Sequence, residues 1–129
     1  MIKLTVKLLE PFFSIIKIEP DELVPTWVFS HDFYSITKTD DEISIVISQD
    51  VSTELARFRI IERDWRCFKI LGPLDFSLIG ILSKLSTMLA EAHISIFAIS
   101  TYDTDYILVK ESNAGKAAGI FLQHDILVI

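Results

Sequence analysis

The sequence predicts an α+β protein whose second half follows the split βαβ, or ferredoxin-like, pattern. That pattern is strand, helix, strand, strand, helix, strand: an antiparallel sheet with two helices on one face. Three observations carry it. Leu78, Ile81, Leu82, Leu85, Met88, Leu89 and Ala92 recur at spacings of three and four, the signature of one helical face. β-rich runs flank that stretch on both sides. The first half holds several strands and one short helix, and reads as an incomplete or distorted second copy, although no internal repeat is visible at fixed spacing. The expected division is residues 1–64 as a divergent strand-rich lobe and 65–129 as the ferredoxin-like lobe.

Lys3 to Pro11 alternates and then turns apolar, a strand that Pro11 ends. Phe12 to Pro20 is a second strand. Pro20 with Asp21 and Glu22 suits a helix start, since acids favour the positive end of the helix dipole, and Pro25 limits that helix to about a turn. Phe33 to Asp50 reads as a hairpin with its turn at Thr39 to Glu42. Val51 to Asp64 fits either a short helix or an irregular strand.

Trp65 to Leu71 is β-rich and Gly72-Pro73 stops it. The helix is expected from about Asp75 to Ala92. His93 to Ser100 is a strand apolar on both faces, hence central in its sheet. Ser100 to Asp105 is a polar turn and Tyr106 to Glu111 the next strand. Ser112-Asn113 offers an N-cap for a short helix to His124, weakened by Gly115 and Gly119. Asp125 to Ile129 closes the chain as a strand.

Half of the 129 residues are hydrophobic, with nine Phe and two Trp, enough for a core and against disorder. The net charge of −6 disfavours nucleic-acid phosphates, which call for a basic face. Anionic ligands stay open, because backbone N–H groups bind them without Lys or Arg. Cys67 is the one cysteine, so no intrachain disulfide forms and a reducing cytoplasm is expected. Cys67 itself reads as a buried small hydrophobe. Met1 to Glu10 lacks a signal-peptide pattern. Asp75, Lys84 and Glu91 interrupt the most apolar region, so no membrane span is expected.

Phosphate-binding glycine motifs are absent, and His31, His93 and His124 stand singly, without metal-ligand spacing. No metal and no cofactor are expected. Phe12, Phe13, Trp27 and Phe29 can line a pocket or serve as plain core.

The run "LGPLDFSLIGILSKLSTMLAEAHISIFAISTYDTDYILVK", Leu71 to Lys110, resembles the ACT domain family of small-ligand regulatory modules. More narrowly it is similar to stand-alone tandem ACT proteins akin to the CASTOR arginine sensors, in which the N-terminal half is a second, divergent ACT-like lobe. The likeness covers about half the chain. One departure is His93, where such sequences often carry Gly; it should strain the helix exit slightly. The resemblance implies amino-acid binding without catalysis, the effector lying between the loop after the first strand and a facing lobe or subunit. Its carboxylate would rest on backbone N–H groups at the helix start.

On that basis the ligand-binding residues are Asp75, Phe76, Ser77, Leu78, Ile79, Gly80 and Ile81, with Ser100, Thr101, Asp103 and Asp105 opposite. The physics agrees: the first N–H groups of a helix lack internal partners and carry partial positive charge. Gly80 would let a ligand approach the backbone, or would serve close packing of the helix on its sheet. Asp75, Asp103 or Asp105 would pair with an α-ammonium, Asp105 being the first choice. Asp75 or Ser77 can equally cap the helix, and the two roles are compatible.

ACT sheets commonly join side by side, so a homodimer is expected. The alternative is a structural oligomerisation module without a ligand site. A third reading, an enzyme using Asp103 and Asp105 as acid and base, competes with a plain solvated turn.

Overall fold

The fold is described from a computed structural model, which covers residues 4–49, 52–71 and 80–129. In chain order the strands are β1 (Thr5–Leu8), β2 (Phe13–Ile18), β3 (Tyr34–Lys38), β4 (Ile43–Ser48), β5 (Ile60–Leu71), β6 (Phe97–Ser100), β7 (Asp105–Lys110) and β8 (Leu127–Val128). The helices are α1 (Ser52–Leu55), α2 (Ile81–Glu91) and α3 (Glu111–Gln123). The chain forms two compact units, Pro11–Trp65 and Met1–Glu10 with Arg66–Ile129.

In the Pro11–Trp65 unit the antiparallel strands lie in the order β3-β4-β2-β5. Counted within the unit, that is second, third, first, fourth, the ferredoxin-like order. The two helical positions are reduced to a 3-10 turn, Thr26–Ser30, and the four residues of α1. Each still plugs the sheet with one fully buried side chain, Val28 and Leu55, against Ile16, Ile45 and Ile47.

The helix expected at Pro20 is instead a turn closed by the Glu22 N–H donating to the Glu19 carbonyl at 3.1 Å. Helical structure starts only after Pro25, whose fixed φ opens the 3-10 turn at Thr26. The hairpin of β3 and β4 turns at Thr39, whose hydroxyl accepts the N–H groups of Asp41 and Glu42 at 3.1 and 3.2 Å. Between the pairs Phe13–Trp65 and Ile15–Glu62, β5 carries one residue more than β2. Asp64 takes up that bulge at φ 64°.

In the other unit the strand order is β8-β1-β5-β7-β6. β1 runs antiparallel to β5 and parallel to β8, so the first strand of the chain separates the last strand from β5. α2 and α3 share a core with the sheet: Val6, Phe68, Ile70, Leu85, Leu89, Ile107, Val109 and Phe121 are all fully buried. Phe68 and Phe121 meet edge to face at 5.3 Å. Burying each such side chain contributes roughly 1.5–3 kcal/mol.

Three local expectations need correction. α2 begins at Ile81, not near Asp75, because Gly80 sits at φ 85° in the left-handed region and cannot continue a helix backwards. The strand after α2 is not central: β6 pairs with β7 alone among the described residues, and it alternates between half-buried and exposed. Lys110, not Ser112 or Asn113, is the N-cap of α3; the helix starts directly from β7 without a side-chain cap.

Both long helices end the same way. The Ile94 N–H reaches back to the Leu89 carbonyl and the Ile126 N–H to that of Phe121, both at 2.9 Å. These are Schellman closures, and they require a left-handed residue just before. His93 (φ 60°) and Asp125 (φ 61°) fill that role. Each closure delivers a buried isoleucine to the core.

Candidate functional site

Asp75, Phe76, Ser77, Leu78 and Ile79 lie outside the described residues. The two ends of that stretch are defined. On one side β5 ends at Leu71. On the other, Gly80 is the N-cap of α2. The Gly80 carbonyl accepts the Lys84 N–H at 2.9 Å, the first bond of the helix.

A Cβ placed on Gly80 would meet nothing within 4 Å among the described residues. Close packing on the sheet therefore does not account for the glycine. Its positive φ does.

The hairpin of β6 and β7 carries the other residues. Ser100 and Asp105 are directly opposed in register, with Ser100 exposed and Asp105 half-buried. Thr101 and Asp103 are exposed in the turn between them. The Thr101 hydroxyl donates to the Thr104 carbonyl at 3.0 Å and accepts the Thr104 N–H at 3.3 Å. It is thus committed to the turn.

Thr104, absent from the sequence-derived set, holds the group together. Its hydroxyl donates to the Ile70 carbonyl, one residue before the end of β5. That bond draws the Ser100–Asp105 turn against the strand end leading into residues 72–79. The signal was legible in outline: a Thr at each end of a short polar turn is a side-chain-stabilised turn, as at Thr39. Its long-range bond to β5 was not.

The local chemistry offers oxygen acceptors and backbone donors. Asp103 and Asp105 supply carboxylates, and the opening turn of α2 supplies N–H groups without internal partners. Lys69 Nζ lies 6.0 Å from the Tyr106 ring centre on adjoining strands. Among the described residues no group of three or more His, Cys, Asp or Glu gathers as a metal would need. Nor is any described helix long and apolar enough to cross a membrane.

The ACT domain profile matches residues 60–121. A second profile, of an N-terminal domain, matches residues 11–53. A crystal structure of a protein from Agrobacterium tumefaciens is 30% identical, with a TM-score of 0.89, over 100% of this chain and 94% of that one.

The regulatory subunit of aspartate kinase from Thermus thermophilus superimposes with a TM-score of 0.66 at 17% identity, over 92% of this chain and 95% of that one. The human protein named cytosolic arginine sensor for mTORC1 subunit 1 is 31% identical over 89 residues, covering 65% of this chain and 27% of that protein. The chain thus matches about a quarter of the length of that relative.

Proposed function

Because the chain belongs to the ACT domain family, we propose that it is an amino-acid-binding regulatory protein without catalytic activity. The ligand rests between residues 75–81 and the Ser100–Asp105 turn. Its carboxylate faces the N–H groups at the start of α2, and its ammonium faces Asp105, with Asp75 and Asp103 nearby. A second copy of the chain supplies the facing wall, making the protein a homodimer.

One observation carries this reading. The bond from Thr104 to the Ile70 carbonyl sets the acid-bearing turn beside the strand that leads into residues 72–79, while a Cβ on Gly80 would meet nothing within 4 Å among the described residues. A zwitterion is met by opposite partial charges at its two ends. The name of the human relative makes arginine the first amino acid to try.

Calorimetry with each of the twenty amino acids at millimolar concentration tests it. Saturable heat that is lost in Gly80→Leu, with fold and mass unchanged, is the expected result. No heat and no thermal shift with any of them leaves only the structural oligomerisation module. Among the described residues β6 pairs with β7 alone, which favours that second reading as far as self-association goes, since unpaired strand groups invite a partner strand.

A further inference from the structure

The Pro11–Trp65 unit holds a cavity of its own, far in sequence from the ACT loop. It measures about 350 Å³ and opens between the end of β2 and the turn that follows α1. That lies at the lower end of the usual range for small-ligand pockets, roughly 300–1,000 Å³. Lys17, Arg57 and Arg59 line it together with Glu19, Glu22 and the ring of Phe58. Three cations converge here in a chain of net charge −6.

The charges do not neutralise one another. Among the described residues none of these five charged side chains has an ion-pair or hydrogen-bond partner. Opposite charges on one cavity that stay beyond contact distance leave room for something between them.

The walls are held in place by the backbone. The Glu19 carbonyl accepts the Glu22 N–H, and the Lys38 ammonium donates to the Pro20 carbonyl at 2.8 Å, fixing the acidic turn. Opposite it, the Phe58 N–H donates to the Leu55 carbonyl at 3.1 Å. The Phe58 ring lies 6.1 Å from that of Trp27 and joins the core of the unit. Arg57 and Arg59 therefore flank an anchored residue, and the acids sit on a pinned turn.

We infer that this cavity binds an acidic amino acid. The guanidinium groups of Arg57 and Arg59 with the Lys17 ammonium take the two carboxylates, a geometry to which guanidinium is matched. Glu19 and Glu22 take the α-ammonium, and Phe58 covers the carbon chain. Three cations against two acids suit a ligand with one negative charge in excess. The site is independent of the one proposed at residues 75–81.

Titration of the intact chain with L-glutamate and L-aspartate, by calorimetry and by amide chemical-shift mapping, tests the inference. Expected are saturable binding and shifts centred on residues 17–22 and 57–60. The double variant R57A/R59A should weaken binding at least about tenfold, the value of losing charge-assisted hydrogen bonds. E19Q/E22Q should weaken the amino acids but not glutarate, which lacks the ammonium. Gly80→Leu should leave this binding unchanged.

Any of these binding results overturns the inference: binding that survives R57A/R59A, binding lost in Gly80→Leu alone, or inorganic phosphate binding as tightly as glutamate. The absence of any binding at millimolar concentration does so as well. All four altered side chains are exposed, so the variants should fold.

Discussion

Gln49 and Asp64 form a closed pair across the β5 bulge. The Gln49 Nε2 donates to the Asp64 carboxylate at 3.1 Å, and its Oε1 accepts the Asp64 backbone N–H. The same Oε1 accepts the hydroxyl of Ser14, a buried polar side chain, at 3.1 Å. One amide thus satisfies the N–H that the bulge withdraws from the ladder and a hydroxyl with no access to water.

Removing the amide strands both donors. Gln49→Ala should cost about 1–3 kcal/mol in urea unfolding. Gln49→Glu keeps the acceptor but sets a carboxylate against that of Asp64. It should be destabilising at neutral pH and recover as pH falls into the carboxylate range. A Glu variant as stable as the parent at pH 7 would contradict this account.

The glycines should respond with opposite signs. Gly115 and Gly119 lie inside α3, and a Cβ on either meets nothing within 4 Å among the described residues. Each change to Ala should raise stability by about 0.5–1 kcal/mol. Gly80→Ala has equal space but φ 85°, so it should lower stability by about 1 kcal/mol. Thermal unfolding of the three variants decides it.

His93→Gly should relieve a left-handed backbone that an L side chain adopts only at a cost of roughly 1–2 kcal/mol. The larger backbone entropy of glycine offsets part of that gain. The expected net effect is a stabilisation of about 0.5–1 kcal/mol by chemical denaturation. The measure of success is a higher midpoint with an unchanged slope.

Burial pushes the Cys67 thiol from its ordinary 9.0 up to about 12. The native thiol therefore stays neutral while that of the unfolded chain ionises. The resulting stability is complete below pH 9 and is lost as pH rises towards 12. Unfolding midpoints at pH 8 and pH 10.5 should differ more in the parent than in Cys67→Ala. The thiol should also resist alkylating reagents until the protein unfolds.

Much of the fold was legible, and the reasons are specific. Leu85, Met88 and Leu89 are the buried face of α2, as their spacing predicts. The hairpin at Thr39 needed only alternation and turn residues. Cys67 is buried, as a lone cysteine in a β-rich run suggests. What escaped has several causes.

The apolar content of residues 93–100 predicts a central strand, yet β6 pairs with β7 alone among the described residues, because part of that content, Ile94 and Ile96, belongs to the core beside α2 before β6 begins. The start of α2 turned on one dihedral angle at Gly80. Of the predicted site, Gly80, Ile81, Ser100, Thr101, Asp103 and Asp105 are described by the structure. The residue that ties turn to strand, Thr104, acts through a carbonyl thirty-four positions away.

The position of β1 bears on how this protein can be divided. Four residues near the start of the chain, Thr5–Leu8, fill the slot between β5 and β8. A fragment beginning at residue 65 would carry both helices but an empty groove one strand wide, bordered by backbone groups seeking partners. The missing piece need not be covalently attached. A peptide of the first ten residues, added in trans, is the natural complement to such a fragment. During synthesis, likewise, the opening strand must wait for the closing one before its unit is whole.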